Sequence, residues 1–249
     1  MNHPLISVQL YTVREAMLEN TPETLARIAA MGFDQVEPYG FPNADGLGEA
    51  LAAAGLTAPT GHAHYLGEDA TELHRVFASA KQLGIGLAID PHAATERWQT
   101  EEDVRQVAHE LNAAAAIAAE YGVAVGYHNH AHELESRIDG RFALEFFADL
   151  LEPTVRLEVD TYWAVVGGAD PVELLGRLHD RVAAIHIKDG PGTAETKDQV
   201  AIGSGSLPIR DIIEAIPTAL RVVELDDSRG DRFQAVADSF EWLVGEGLA

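Results

Sequence analysis

The chain contains no cysteine, which excludes a disulfide framework, a thiolate metal site and a cysteine nucleophile. Basic residues are scarce: 17 Lys and Arg stand against 40 Asp and Glu, a formal charge of −23. Such a surface repels phosphodiester backbones and anionic lipid, so neither nucleic acid nor membrane is expected as a partner. A small neutral sugar or polyol suits the charge better. Long apolar runs are also missing; the longest fall far short of the roughly 20 residues of a membrane span. Met1-Asn2-His3-Pro4 runs straight into an apolar, strand-like segment. Without a basic stretch and apolar core ahead of it, no leader peptide is expected, and the cytoplasm is the default location. The composition leaves a homo-oligomer open.

Apolar content is ordinary at 47%, so a packed globular chain is expected. A unit of amphipathic helix, glycine and short β-rich run recurs. Its glycines are Gly32, Gly55, Gly84 and Gly122, each suited to a helix end that needs positive φ. Helix starts are marked by Thr21-Pro22-Glu23 and by the capping-box variant Thr100-Glu101-Glu102-Asp103. Eight strands are predicted, over 6–11, 35–39, 57–62, 86–90, 124–128, 155–160, 183–188 and 221–226. Helices are predicted near 22–31, 45–54, 71–83, 100–121, 142–151, 172–179, 207–216 and 232–244. Strict alternation implies parallel strands with right-handed crossovers. Eight of each in about 250 residues is the size of an α/β chain folded as a single-domain (β/α)8 TIM barrel, here spanning 1–249. An open doubly wound sheet is the alternative. Its glycine-rich turn after the first strand is absent from Val8-Gln9-Leu10-Tyr11-Thr12-Val13-Arg14.

Polar residues gather where these strands end. Glu37 lies on the second strand, His62 and His64 at the third, Asp90 and His92 at the fourth. His128 and His130 follow at the fifth, Glu158 and Asp160 at the sixth, His186 and Lys188 at the seventh, Glu224 and Asp226 at the eighth. Seven of the eleven histidines fall at or just after strand ends. Residues i and i+2 share a strand face. If Leu157 and Val159 meet the helices, Arg156, Glu158 and Asp160 enter the barrel. Buried carboxylates need a partner cation, and a divalent metal supplies one. Mixed imidazole and carboxylate ligands suit Mn²⁺, Zn²⁺, Co²⁺ or Fe²⁺. Structural ion pairing through Arg156 and Lys188 is the alternative. Gly203-Ser204-Gly205-Ser206 reads as a plain turn before it reads as a phosphate cradle, and Trp163 as a sugar-stacking aromatic.

Four motifs occur in order: Tyr127-His128-Asn129-His130, Asp160-Thr161-Tyr162-Trp163, His186-Ile187-Lys188-Asp189 and Val223-Glu224-Leu225-Asp226. In them the chain resembles the xylose isomerase-like TIM barrels, the sugar phosphate isomerase/epimerase group that includes ketose 3-epimerases and inosose dehydratases. The resemblance covers nearly the whole chain. It implies one divalent metal held by a residue from each of the fifth to eighth strands: His128, Asp160, His186 and Glu224. His128 stands where relatives have Glu, and Trp163 where many have His. The paired-Glu mechanism of the epimerases therefore does not transfer directly.

The implied reaction is a metal-dependent isomerisation or epimerisation of a keto-sugar or related polyol through an enediolate. Glu224 and His128 are the candidate acid/base groups, and Lys188 a proton donor or electrophile. Glu37, His62, His64, His130 and Trp163 are the candidate substrate contacts. Loss of a β-oxygen from the same intermediate would make the enzyme a dehydratase acting on a keto-sugar or inosose. A catalytically inactive sugar-binding barrel and a nuclease like endonuclease IV are the remaining alternatives; the charge opposes the second.

Overall fold

The computed structural model describes His3 and residues 5–249; Met1, Asn2 and Pro4, part of the segment on which the absence of a leader was argued, lie outside the described residues. The strands are β1 (Ile6–Val8), β2 (Thr60–His62), β3 (Leu87–Asp90), β4 (Ala124–His128), β5 (Arg137–Ile138), β6 (Arg141–Phe142), β7 (Arg156–Asp160), β8 (Val182–Ile187) and β9 (Leu220–Val223). Seven of them form a curled parallel sheet in the order β1-β9-β8-β7-β4-β3-β2. The predicted strand at 35–39 closes it into a barrel. It pairs as isolated parallel bridges, Gln9 with Glu37, Gln35 with Thr57 and Tyr39 with His62. Pro38 explains the interruption, since it has no N–H to donate to a ladder. The expected α/β barrel of a single domain is therefore the fold.

Helices cover the outside: α1 (Arg14–Ala30), α2 (Leu47–Ala54), α3 (Ala70–Leu83), α4 (Glu101–Ala119), α5 (His132–Glu135), α6 (Ala143–Leu150), α7 (Thr161–Val166), α8 (Pro171–Leu178), α9 (Ile209–Ala215) and α10 (Arg232–Gly245). The four recurring glycines all have positive φ, from 71° to 109°. The Thr100/Asp103 capping box is formed. The start at Thr21 is not where the chain caps itself. α1 begins at Arg14 and kinks at Asn20, whose Oδ1 accepts the Glu23 N–H at 3.2 Å. Among the described residues no helix is long and apolar enough to cross a membrane.

Strand alternation sorts the residues as the sequence implies. Leu157 and Val159 are buried in the layer between sheet and helices, while Glu158 and Asp160 point to the axis and are fully buried. Each such Leu or Val contributes about 1.5–3 kcal/mol by leaving water. That apolar layer offsets the burial of charge on the opposite face. Arg156 does not follow its strand mates inward; it is exposed at the far end and donates to the Asp180 carbonyl. In β3 the register pairs Ile89 with His62 and with Gly126, so Ile89 is the inward residue and Asp90 turns away from the axis. The Asp90 carboxylate accepts the N–H groups of Tyr65 at 2.7 Å and Leu66 at 2.8 Å. It fastens the loop that follows β2 and does not face the axis.

Candidate active site

The polar residues of the interior form two tiers. In the lower tier, Glu158 Oε2 lies 2.6 Å from His62 Nε2, 3.0 Å from His128 Nδ1 and 3.1 Å from His186 Nε2. Beside it, Glu37 Oε1 accepts from His186 Nε2 at 2.7 Å and from Gln9 Nε2 at 2.8 Å. In the upper tier, Lys188 Nζ sits 2.8 Å from Asp160 Oδ2, 2.8 Å from Glu224 Oε2 and 2.9 Å from Asp226 Oδ2. His186 joins the tiers: its Nδ1 donates to Glu224 Oε2 at 2.6 Å while Nε2 faces Glu37 and Glu158.

The quoted motifs hold these groups in place. The Asn129 Oδ1 accepts the Asp160 N–H at 3.1 Å, tying β4 to β7 beside the site. Asp160 caps α7 by accepting the Trp163 N–H at 2.8 Å, which holds its carboxylate at the strand end. Thr161 Oγ1 donates to the His186 carbonyl at 2.9 Å. Asp189 explains the glycine-rich loop. Its buried carboxylate accepts the backbone N–H groups of Gly190, Gly203, Gly205 and Leu207 at 2.8–3.1 Å. The anion cradle of Gly203-Ser204-Gly205-Ser206 is thus filled by the protein's own carboxylate, in agreement with the turn reading. A Cβ on Gly205 would collide with that carboxylate.

Electrostatics divides the titratable groups. Burial opposes charge on His62, but Glu37 and Glu158 outweigh it and lift its pKa to about 10. His186 is raised well above its ordinary value for the same reason, with Glu158, Glu224 and Glu37 overcoming burial. His128 is pushed well below its ordinary value by burial and by His186. His130 falls to about 3, chiefly by burial and then by Lys188. Burial raises Asp160 to about 6 despite Lys188. Glu224 is also buried, yet Lys188 and His186 hold it well below the usual carboxylate range. Lys188 is raised well above its ordinary value; the surrounding carboxylates overcome burial.

Above the tiers opens a cavity of about 480 Å³, lined by His62, His64, His92, His128, His130, Glu224 and Asp226, with Tyr11 and Tyr39 at its sides. Among the described residues that line it, none is Lys or Arg. His62, His128, His130 and Glu224 thus come together, and Asp160, His186 and Lys188 lie directly beneath. His64 is at the rim, its side chain 74% exposed. Glu37 lies under the floor, against His62 and His186. Trp163 stands behind His130, with ring centroids 6.0 Å apart, and its Nε1 is buried without a partner. Sequence reasoning did not single out Gln9, and it named Asp226 and Glu158 only as strand-end acids, without a role in the site. For the last two the signal was present, since each lies two residues from a chosen ligand on the same strand face.

Two groups have ligand atoms close enough to share a metal ion: His62, His128, Glu158 and His186, and Asp160, His186 and Glu224. The donor set fits a divalent transition metal, because imidazoles and carboxylates converge and the buried oxygens Glu37 Oε2 and Glu158 Oε1 lack hydrogen-bond partners. His128 touches both groups; its Nε2 is 3.7 Å from Asp160 Oδ2.

The family described as xylose isomerase-like TIM barrel matches residues 25–244. Inosose dehydratase from Geobacillus kaustophilus (strain HTA426) is 27% identical over 164 residues, which is 60% of this chain and 52% of that protein. The Bacillus velezensis inosose dehydratase is 30% identical over 110 residues, 42% of this chain and 34% of its own length. This chain therefore spans about half, or less, of the curated relatives it matches. A sugar phosphate isomerase/epimerase from Parabacteroides distasonis superposes with a TM-score of 0.83 at 23% identity, covering 98% of this chain and 94% of that one. The zinc-bound IolI protein superposes with a TM-score of 0.73 at 16% identity, over 96% of each chain. At these identities the superpositions show the fold.

Proposed function

The chain belongs to the xylose isomerase-like TIM barrel family, and from that premise we propose that it is a metal-assisted enzyme that enolises a neutral keto-sugar or related polyol, as an isomerase or epimerase. One observation carries the reading. An ionised carboxylate, Glu224, lines the cavity while a metal-fitting cluster of Asp160 and His186 lies under it. The family resemblance implies His128, Asp160, His186 and Glu224 as ligands; all four meet around His186. A metal such as Mn²⁺, Zn²⁺, Co²⁺ or Fe²⁺ bound there would polarise a carbonyl and acidify the neighbouring C–H.

The chain's own groups do the rest. Glu224 is held ionised by Lys188 and His186, so it accepts the proton at neutral pH. Lys188, kept charged, stabilises negative charge developing on the substrate oxygen. His130 is neutral and lines the cavity, where its ring can bond a substrate hydroxyl. With Asp189 filling the glycine-rich cradle and no Lys or Arg on the described cavity wall, an unphosphorylated substrate is favoured.

A second reading, dehydration of an inosose or keto-sugar, is favoured by one feature: His128 occupies the position of the second carboxylate base. Epimerisation needs a base on each face of the substrate, whereas elimination needs one base and an acid to assist the leaving hydroxyl. The inosose dehydratase relatives favour it too. Product analysis of metal-supplemented protein with inososes and keto-sugars separates the two. An epimer or aldose–ketose isomer supports the first reading, a dehydrated ketone the second, and no product from either class contradicts both.

A further inference from the structure

We propose that Asp226 is a substrate-binding residue that accepts the hydrogen of one substrate hydroxyl, and that Gln199 is the residue that positions it. The proposal rests on the reading of the cavity as a keto-sugar or polyol site.

Asp226 follows the end of β9 and lines the cavity. All but one of its polar atoms are engaged. Its N–H donates to Gln199 Oε1 at 2.7 Å, and its carbonyl accepts from Arg14 Nη1 at 2.9 Å. Its Oδ2 accepts from Gln199 Nε2 at 2.7 Å and from Lys188 Nζ at 2.9 Å. Oδ1 is left with no hydrogen-bond partner among the described residues, on a side chain that is 21% exposed. A carboxylate oxygen only accepts, so what completes it must donate. With Glu224 on the same cavity wall, an anionic substituent is repelled there. The cation is already supplied by Lys188. A neutral hydroxyl, the donor that every sugar and polyol carries, is the group that fits.

Gln199 holds this carboxylate still. It is fully buried in the segment between β8 and α9, and its amide grips both the backbone and the side chain of Asp226. The segment is itself fixed on both sides. The Val200 N–H donates to the Asp189 carbonyl at 3.0 Å, and the Asp189 carboxylate holds Gly203, Gly205 and Leu207 just beyond. The Gln199 carbonyl accepts from Ser228 Oγ at 2.9 Å. The glycine-rich turn thus anchors the residue that aims Asp226. Gln199 and Arg14 are not among the implied metal ligands and do not line the cavity, so they hold Asp226 from outside the metal cluster. A group fixed in this way loses little freedom when it binds.

The test is a fluorine NMR titration of Zn²⁺-supplemented protein with the monodeoxyfluoro derivatives of myo-inositol and of D-fructose, the parent compounds serving as competitors. Fluorine is close to a hydroxyl in size and polarity but has no hydrogen to donate. In wild type, fluorination of at least one position should weaken binding by about 10-fold or more, the loss of a hydrogen bond to a charged acceptor. In Asp226→Asn, whose amide can turn its NH₂ to the cavity, the penalty at one such position should shrink to ~3-fold or less, while other positions keep theirs. Gln199→Leu should shrink the penalty at that same position. Mere loosening of the structure would weaken all derivatives alike. If Asp226→Asn does not fold, Gln199→Leu decides. No penalty at any position in wild type, or a penalty pattern unchanged in either variant, overturns the proposal and leaves the proposed function standing. Binding of neither parent compound sinks both. Deuterium exchange on the same protein separates the two claims: a selective penalty without exchange of any inosose or keto-sugar sinks the proposed function and leaves the role of Asp226.

Discussion

Lys188 and Glu224 form a buried ion pair at 2.8 Å, with His186 donating to the same Glu224 oxygen at 2.6 Å. These two contacts decide the protonation state of the carboxylate that faces the cavity. A buried carboxylate alone would hold its proton; this one is kept ionised by the lysine and the imidazolium.

Glu224→Gln should therefore lower turnover by at least ~100-fold, the low end of the range for a general acid or base. Its amide can still accept from His186 and fill the same volume. Steady-state kinetics beside a urea melt is the check, and turnover near wild type would remove Glu224 from the chemistry.

Lys188→Met is expected to act on stability first. It keeps the stem of the side chain but leaves Asp160, Glu224 and Asp226 without their shared cation. Breaking a buried charge pair costs about 3–5 kcal/mol, so the urea midpoint should fall in proportion. Because Asp160 already stands near 6 with the lysine present, the loss should shrink on acidification as carboxylates take up protons. A loss of stability independent of pH would mean that the lysine matters through packing alone.

Glu133 gives the protein a second pH signature. It is fully buried, accepts from Tyr127 Oη at 2.7 Å and from the His130 N–H at 2.9 Å. Burial raises its pKa from 4.5 to about 7, more than the hydrogen bond from Tyr127 lowers it. A raised pKa means that folding favours the protonated form. Its contribution is fully present below pH 4.5 and is lost as pH rises through about 7. The change is on the order of 3 kcal/mol. Unfolding free energies from pH 4.5 to 7.5 should fall with this group in wild type, and Glu133→Gln should flatten that part of the curve. Parallel curves would assign the slope to other groups.

Most of the fold was legible because a barrel repeats one physical unit. Helix, glycine and apolar run recur at the right spacing, and the glycines take the positive φ that the pattern demands. Gln35–Tyr39 was readable as a strand but not as a broken one, since Pro38 acts only through the ladder it fails to join. Asp139-Gly140 is a hairpin turn signal between β5 and β6 that went unread because each strand has two residues. In the site, β7 was readable from its own alternation: apolar Leu157 and Val159 send Glu158 and Asp160 inward. Asp90 was not. Its direction is set by the register of β3 against β2 and β4, which periodicity along one strand does not contain. The grouping of Glu158 with His62 rather than with Lys188 likewise depends on residues 96 positions apart meeting across the barrel.

The most direct test of the account is solvent-deuterium exchange at the carbon next to the carbonyl of unphosphorylated inososes and keto-sugars, followed by NMR in metal-supplemented protein. Exchange depends on proton removal and not on the fate of the intermediate, so it reads isomerase, epimerase and dehydratase chemistry alike. Deuterium incorporation or loss of the C–H signal is expected in at least one such substrate, abolished by chelator and by Glu224→Gln. Exchange that persists in Glu224→Gln, or no exchange and no product with any of these substrates in fully metal-loaded protein, would contradict it.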